Sequence, residues 1–425
     1  MSRKLIQNAD VFDGTHETLQ KNVNIVIEDH FVTQITEASV PSEVFDEVID
    51  AAGYTVIPGL TDAHVHVSHS DPGLLSEPRV DELAVRSVRM AYDMLMRGFT
   101  TIRDAGGITY GLKKNIDNGF LPGPRIYPSN AYISQTCGHG DIRKTPAAER
   151  LPDGNYTCPT LQQRQSYIAD GVPEMLRAVR EQFILGASQI KLMAGGGISS
   201  KFDPIQTVQF TYEEMKAAVD AAGDYGTYVM AHLYTPKAMQ RAVRAGVLSL
   251  EHVSMMDDET GKMIKDADCF VTPGPQMGRS MESHGPNQPP EIVKKGNYVR
   301  QWETIATEVI NKYDLKILFG TDSFGNPDLI AERQLQDFGF YKKRFGSFKG
   351  IVAATGNVHE LIKHTTYQNP YPDGKIGVLE EGSYADLLIV NGNPVADLDV
   401  LTDQDNIRLI MKDGTVYKNT LEEGA

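Results

Sequence analysis

Residues 56–67 read VIPGLTDAHVHV, an apolar run of strand length that is broken at Pro58-Gly59 and ends on two histidines two residues apart. Behind it, residues 81–98 (DELAVRSVRMAYDMLMRG) carry apolar positions at helical spacing, and residues 99–107 (FTTIRDAGG) return to a short apolar run. Strand, helix, strand is the pattern of a parallel βαβ unit, because a parallel partner is reached only by a crossover. The alternation continues through RIYPSNAYIS (125–134), a helix at 173–187, SQIKLMAGGG (188–197), a helix at 212–226 and YVMAHLY (228–234). It closes with a helix at 235–246, LSLEHVS (248–254), a helix at 257–268, CFVTPGP (269–275), a helical stretch through 302–313 and KILFGTDS (316–323). Eight strands, most followed by a helix, over roughly 300 residues predict an α/β chain built on a (β/α)8 barrel; a doubly wound open sheet normally has fewer units.

Both ends of the chain read differently. Residues 3–11 and 22–36, the run up to Pro58, and the segments 383–392 and 406–419 are β-rich with turn residues between them. Asp413-Gly414 between two apolar runs is a hairpin signal. The simplest packing joins the two ends beside the barrel, giving a division into 1–57 and 366–425 as two parts of a small β-sandwich and 58–365 as the barrel.

Composition narrows the function. The 425 residues are 41% hydrophobic and 23% charged, ordinary for a globular chain, and the formal net charge is -15. Nucleic acid is excluded as a partner, since phosphate binding needs Lys/Arg clusters that are missing here. The start, MSRKLIQNADVFDG, turns polar too soon for a signal peptide, and no run approaches the roughly 18 apolar residues of a membrane span. Cys137, Cys158 and Cys269 are too few and odd in number for a disulfide framework, which fits a reducing compartment, so the cytosol is expected.

The chemistry sits at the strand ends. His64 and His66, at i and i+2 of a strand, point the same way and make half of a metal site. Lys191 ends the fourth barrel strand, His232 the fifth, His252 the sixth and Asp322 the eighth. Each alone has an ordinary explanation: a solvated lysine, core histidines, a helix-capping aspartate. Together they place metal-compatible groups in barrel order at the face where such barrels keep their catalytic residues. His69, His284, His359 and His364 lack that placement and are expected not to be ligands. Gly195-Gly196-Gly197 is followed by no GK[ST] and reads as close backbone approach rather than a phosphate cradle. The long segment 141–165 reads as a lid or a subunit contact, and Arg279, after Gln276 and Met277, as either a carboxylate-binding or a solvent-exposed residue.

With DAHVH at 62–66, Lys191, His232, His252 and GTD at 320–322, the sequence resembles the two-metal branch of the amidohydrolase superfamily, from the VIPGLTDAHVH entry to GKIGVLEEGSYADLLIVNGNP at 374–394. The resemblance implies two divalent ions, zinc being the leading choice, held by His64, His66, Lys191, His232, His252 and Asp322. It also implies that Lys191 takes up carbon dioxide to become a bridging carbamate, that a metal-bridging hydroxide attacks the substrate, and that Asp322 is the general base and acid. FTTIRDAGG, CGHGD at 137–141, KLMAGGGISS at 191–200 and HLYTPKAMQRAVRAGV at 232–247 look most like the branch of Xaa-Pro and Xaa-Arg/Lys dipeptidases and ochratoxin-hydrolysing amidases. There His139 and Tyr234 would face the substrate, a small N-acyl amino acid or dipeptide, and the enzyme would often assemble as a homo-oligomer. Cys137-Gly138-His139 stands where those relatives commonly have Gly-Gly-His. A mononuclear deaminase or imidazolonepropionase-like hydrolase would show HxxE on the fifth strand, whereas Leu233-Tyr234-Thr235 follows His232. An inactive scaffold would have lost ligands.

Overall fold

The structure is a computed structural model that describes residues 2–69, 79–143, 151, 165–274, 289–325 and 327–421. The terminal sheet contains β1 (Arg3–Val11), β2 (Gln20–Glu28), β3 (Phe31–Thr36), β4 (Glu47–Asp50) and β5 (Thr55–Pro58) from one end of the chain. From the other end come β16 (Leu387–Val390), β17 (Ile407–Lys412) and β18 (Thr415–Asn419). All eight form one hydrogen-bonded sheet in the order β18-β17-β16-β5-β1-β2-β3, with β4 beside β1, so the two ends meet where β16 lies antiparallel to β5. Its apolar side chains, among them Ile6, Ile25, Ile49, Val56, Leu387 and Met411, gather in a core of their own. The β17–β18 turn has both central residues at positive φ, Asp413 at 57° and Gly414 at 70°, the conformation a two-residue hairpin requires.

The barrel strands run in chain order. β6 (Leu60–Val65), β7 (Phe99–Asp104) and β8 (Arg125–Pro128) pair in parallel, and β9 (Tyr132–Ser134), β11 (Ile190–Met193), β12 (Val229–Leu233), β13 (Ser249–His252), β14 (Phe270–Thr272) and β15 (Lys316–Ile317) continue the series. Residues 318–323 then run back alongside β6. Ala63 N donates to Phe319 O, Asp322 N to His64 O and His66 N to Ser323 O. Helices lie between most successive strands, including Val80–Met96, Val172–Ile184, Tyr212–Asp224, Pro236–Ala245, Asp258–Asp266 and Glu303–Tyr313.

The structure differs from the sequence reading at the third strand. RIYPSNAYIS is two strands, because Asn130 adopts φ 54° and breaks the extended run; asparagine tolerates that region better than most residues. β8 pairs with β7, whereas β9 pairs with β11 and with an additional short strand, β10 (Ser166–Ile168). Alternation along β11 and β12 sends Ile190, Leu192, Val229, Ala231 and Leu233 outward into the core under the helices. That leaves Lys191 and His232 on the inner side. Below them Ala63, Ala105, Met230, Phe270 and Leu318 fill the barrel floor against Val358 and Leu361 of the helix Gly356–Ile362.

Candidate metal centre and active site

Backbone irregularities aim the site. β6 spends one residue more than β7 between Asp62 and Val65, a bulge of the kind that re-aims side chains beside active sites. Beyond it Val65 and Val67 pack outward while His64 and His66 reach the barrel mouth. On β13, strict alternation would admit only one of the consecutive residues Glu251 and His252. His252 leaves the strand at φ 74° and Val253 follows at 47°, so both acidic and imidazole groups are brought to the centre. Asp322, at φ 50°, is likewise in a conformation that costs a non-glycine residue energy. Strain at two neighbouring polar residues is retained because the surrounding hydrogen bonds fix it.

The six residues named from the sequence converge. One side-chain atom each from His64, His66 and Asp322 lie within 4.8 Å of one another. Asp322 Oδ1 is 3.5 Å from His64 Nε2 and 3.3 Å from His66 Nε2. Lys191 Nζ lies 3.1 Å from His64 Nε2. The His252 ring is 5.0 Å from that of His64 and 4.6 Å from that of His232, centre to centre. His139 stacks on His232 at 4.2 Å, and the Tyr234 ring sits 4.9 Å from His232 and 5.3 Å from His252. His69 packs edge-on against His66 at 5.3 Å, outside the three-residue group, and His359 and His364 lie elsewhere, the first bonded to Ile376 O. His284, Gln276, Met277 and Arg279 are outside the described residues, as is most of 141–165.

Partners on the far side of the rings fix their tautomers. His64 Nδ1 donates to Glu251 Oε2 at 2.7 Å and His66 Nδ1 to Gly106 O at 2.9 Å, which leaves Nε2 of each as the nitrogen turned toward the cluster. His232 Nε2 donates to Gly196 O at 3.3 Å, leaving Nδ1. Burial holds His64 down at about 4, with the Lys191 charge adding to it, and holds His232 and His252 well below the ordinary histidine value. Neutral imidazoles with oriented lone pairs are the ligand form. Burial alone would raise the Asp322 carboxyl, but the hydrogen bond from His66 outweighs it and holds it well below the carboxylate range.

Lys191 is 1% exposed, and among the described residues no carboxylate stands within ion-pair distance of it. Burial pushes its ammonium down to about 8, only partly offset by the charges of Glu251 and Asp322. A buried cation facing imidazoles without an ion-pair partner is a poor end state. Among the described residues, His64, His66 and Asp322 fit a divalent ion.

Two residues that hold the site were not singled out from the sequence. Glu251 accepts from His64 and also from Arg103 Nη2 at 2.9 Å and Ser249 Oγ at 2.7 Å. Arg103, buried inside the barrel, further donates to Ala63 O at 2.6 Å, tying β7 to β6. Burial would raise the Glu251 carboxyl, yet the Arg103 charge and the hydrogen bond from His64 hold it well below its ordinary value. The available signal was a charge inside each short apolar run: Arg in FTTIRD and Glu in LSLEH. The glycine loop is close backbone approach: a Cβ on Gly197 would overlap the His139 ring, and one on Gly196 the Pro204 carbonyl.

A parallel α/β barrel with imidazoles, a lysine and a carboxylate gathered at its strand ends defines a class of hydrolytic barrel. The chain belongs to the amidohydrolase family, whose model matches residues 55–417. It is 31% identical over 415 residues to an ochratoxinase of Aspergillus niger, covering 94% of this chain and 83% of that one. Among solved structures, a prolidase complexed with N-methylphosphonate-L-proline shares 33% identity at a TM-score of 0.89, with 98% of this chain and 100% of that one covered. A Xaa-Pro dipeptidase with bound methionine shares 30% at 0.84, again with 98% and 100% covered.

Proposed function

We propose that this chain is a metal-dependent hydrolase that cleaves the amide bond of a small N-acyl amino acid or dipeptide. The observation that carries the reading is the convergence of His64, His66, Lys191, His232, His252 and Asp322 around one point, with the buried Lys191 Nζ 3.1 Å from His64 Nε2. These six residues would hold two divalent ions, zinc by preference for mixed imidazole and oxygen ligation, with Lys191 as its carbamate. When bound, such ions polarise a substrate carbonyl and make water acidic enough to act near neutral pH.

The remaining work falls to the chain's own groups. The Asp322 carboxylate takes the proton from the attacking water and passes it to the leaving amine. Burial, and then the negative charge of Asp322, push the Tyr234 phenol well above its ordinary value, so it stays protonated as a donor to the substrate. His139, stacked on His232, faces the same space and turns its other ring nitrogen toward it. The names of the relatives, an ochratoxinase and two proline-directed dipeptidases, support an amide whose leaving group is an amino acid. The reading takes the barrel as closed, with domains at 1–57, 58–365 and 366–425 and the terminal sheet as a β-sandwich. It further takes the enzyme as a cytosolic homo-oligomer acting on small molecules.

A panel of N-acyl amino acids and Xaa-Pro, Xaa-Arg and Xaa-Lys dipeptides tests this directly. Turnover of at least one member is expected, with Asp322→Asn lowering kcat by about 10²–10⁴-fold, the range of a lost acid–base group. No turnover across the panel by metal-replete protein, or unchanged kcat in the variant, contradicts the reading.

A further inference from the structure

His139 is held from behind by a network remote from the six ligands. Its Nδ1 donates to Ser200 Oγ at 2.7 Å and stands 3.6 Å from Asp203 Oδ2, while its backbone N donates to Gln209 Oε1 at 2.8 Å. Asp203 is fully enclosed. Its Oδ2 accepts from Gly197 N at 2.8 Å and Gln209 Nε2 at 3.3 Å, and its Oδ1 has no hydrogen-bond partner among the described residues. The segment Gly197–Asp203 thus wraps the imidazole, with Gly197 so close to the ring that a Cβ could not fit.

The segment contains neither helix nor strand, and its internal ties are Gly197 N to Asp203 Oδ2 at 2.8 Å and Ser200 Oγ to Gly197 O at 3.2 Å. What fastens it comes from the helix Pro290–Arg300. Lys295 Nζ donates to Gly197 O at 2.9 Å, Ser200 O at 2.8 Å and Asp203 O at 2.6 Å, and lies 3.7 Å from Asp203 Oδ1. An ammonium has three N–H donors, and all three are used on one loop. Ile292 and Val299 of the same helix pack with Ile198, Ile205 and Tyr234, so the helix registers the loop and the tyrosine together.

We propose that Lys295 is a positioning residue. It clamps three carbonyls of the 197–203 loop, and through Ser200 and Asp203 it fixes the His139 ring so that Nε2 is presented to the substrate. The proposal rests on the reading of His139 as a substrate-facing group. Lys295 touches neither the metal ligands nor the reacting atoms, so its removal spares metal content and acts through geometry. A misplacement of about an ångström costs up to roughly 10²-fold in rate.

The test uses metal-replete Lys295→Met, which keeps the unbranched side chain as far as Cε and removes its donors. Amide hydrogen exchange is expected to quicken at residues 197–203 while β11 and β12 stay protected, and kcat/KM to fall about 10- to 100-fold. Lys295→Arg, which keeps charge and donors, should recover part of both. In a double-mutant cycle with His139→Ala, the second substitution should add little to the first, because both remove the same function. Unchanged exchange at 197–203, or losses that multiply independently, overturns the proposal. A His139→Ala variant with normal kcat/KM instead overturns the role given to His139, while the exchange result still decides the clamp.

Discussion

Glu251 shows how much of this site is decided by one residue beyond the six that converge. It accepts from His64 and Arg103 at once, so it sets the tautomer of a ligand and neutralises a buried guanidinium. Glu251→Gln keeps the shape and removes the charge. Metal affinity is expected to fall about 10- to 100-fold, the usual cost of losing the partner behind a ligating histidine, as read by competition with a chromogenic chelator. Affinity equal to the parent protein would show that His64 is oriented by something else. The six converging residues were legible as a group because histidine, lysine and aspartate recur at strand ends. Glu251 was not, because strand alternation argues against two consecutive residues facing inward, and the positive φ of His252 that permits it leaves no mark in sequence.

At the scale of elements, most strands and helices were legible because period-two and helical apolar patterns alternate cleanly from residue 56 onward. The third strand was misread: Pro128-Ser129-Asn130 in the middle of RIYPSNAYIS is a turn signal that the reading passed over, and the positive φ of Asn130 is where the run breaks. The loop around His139 was silent, since its fastening by Lys295 crosses 92 to 98 positions of sequence. Another long-range tie joins β8 to the strands of the terminal sheet. Arg125 Nε donates to Asp386 Oδ2 at 2.8 Å and its Nη2 to Asp413 Oδ1 at 2.6 Å, with the guanidinium 3.8 Å from the centre of the Tyr384 ring. The group is nearly buried, so losing one partner strands a charge. Asp386→Ala is expected to lower stability by about 3–5 kcal/mol, less what Asp413 retains, in chemical denaturation followed by circular dichroism. A change within 0.5 kcal/mol, the range of an ordinary surface substitution, would show that this tie does not couple the sheet to the barrel.

At the scale of the whole molecule, the chain places its terminal sheet beside a parallel barrel whose floor is apolar and whose mouth is polar. Among the described residues no helix is long and apolar enough to cross a membrane. The architecture explains why one sequence pattern carries both fold and site: each strand that buries apolar residues under a helix ends at the same face, and that face collects whatever chemistry the strand ends bear. The substrate was far less legible, because the segments on which side-chain selection would depend are loops with no periodic pattern to read. The central claim is a two-ion site built around a carboxylated Lys191, and metal stoichiometry tests it most directly. Protein reconstituted with Zn²⁺ and bicarbonate, then freed of loosely bound metal, should carry two equivalents per chain by inductively coupled plasma mass spectrometry. Lys191→Ala should hold one or fewer, with partial recovery of activity on adding short carboxylic acids. Well under one equivalent in the parent protein, or two equivalents with full turnover in Lys191→Ala, would contradict the account.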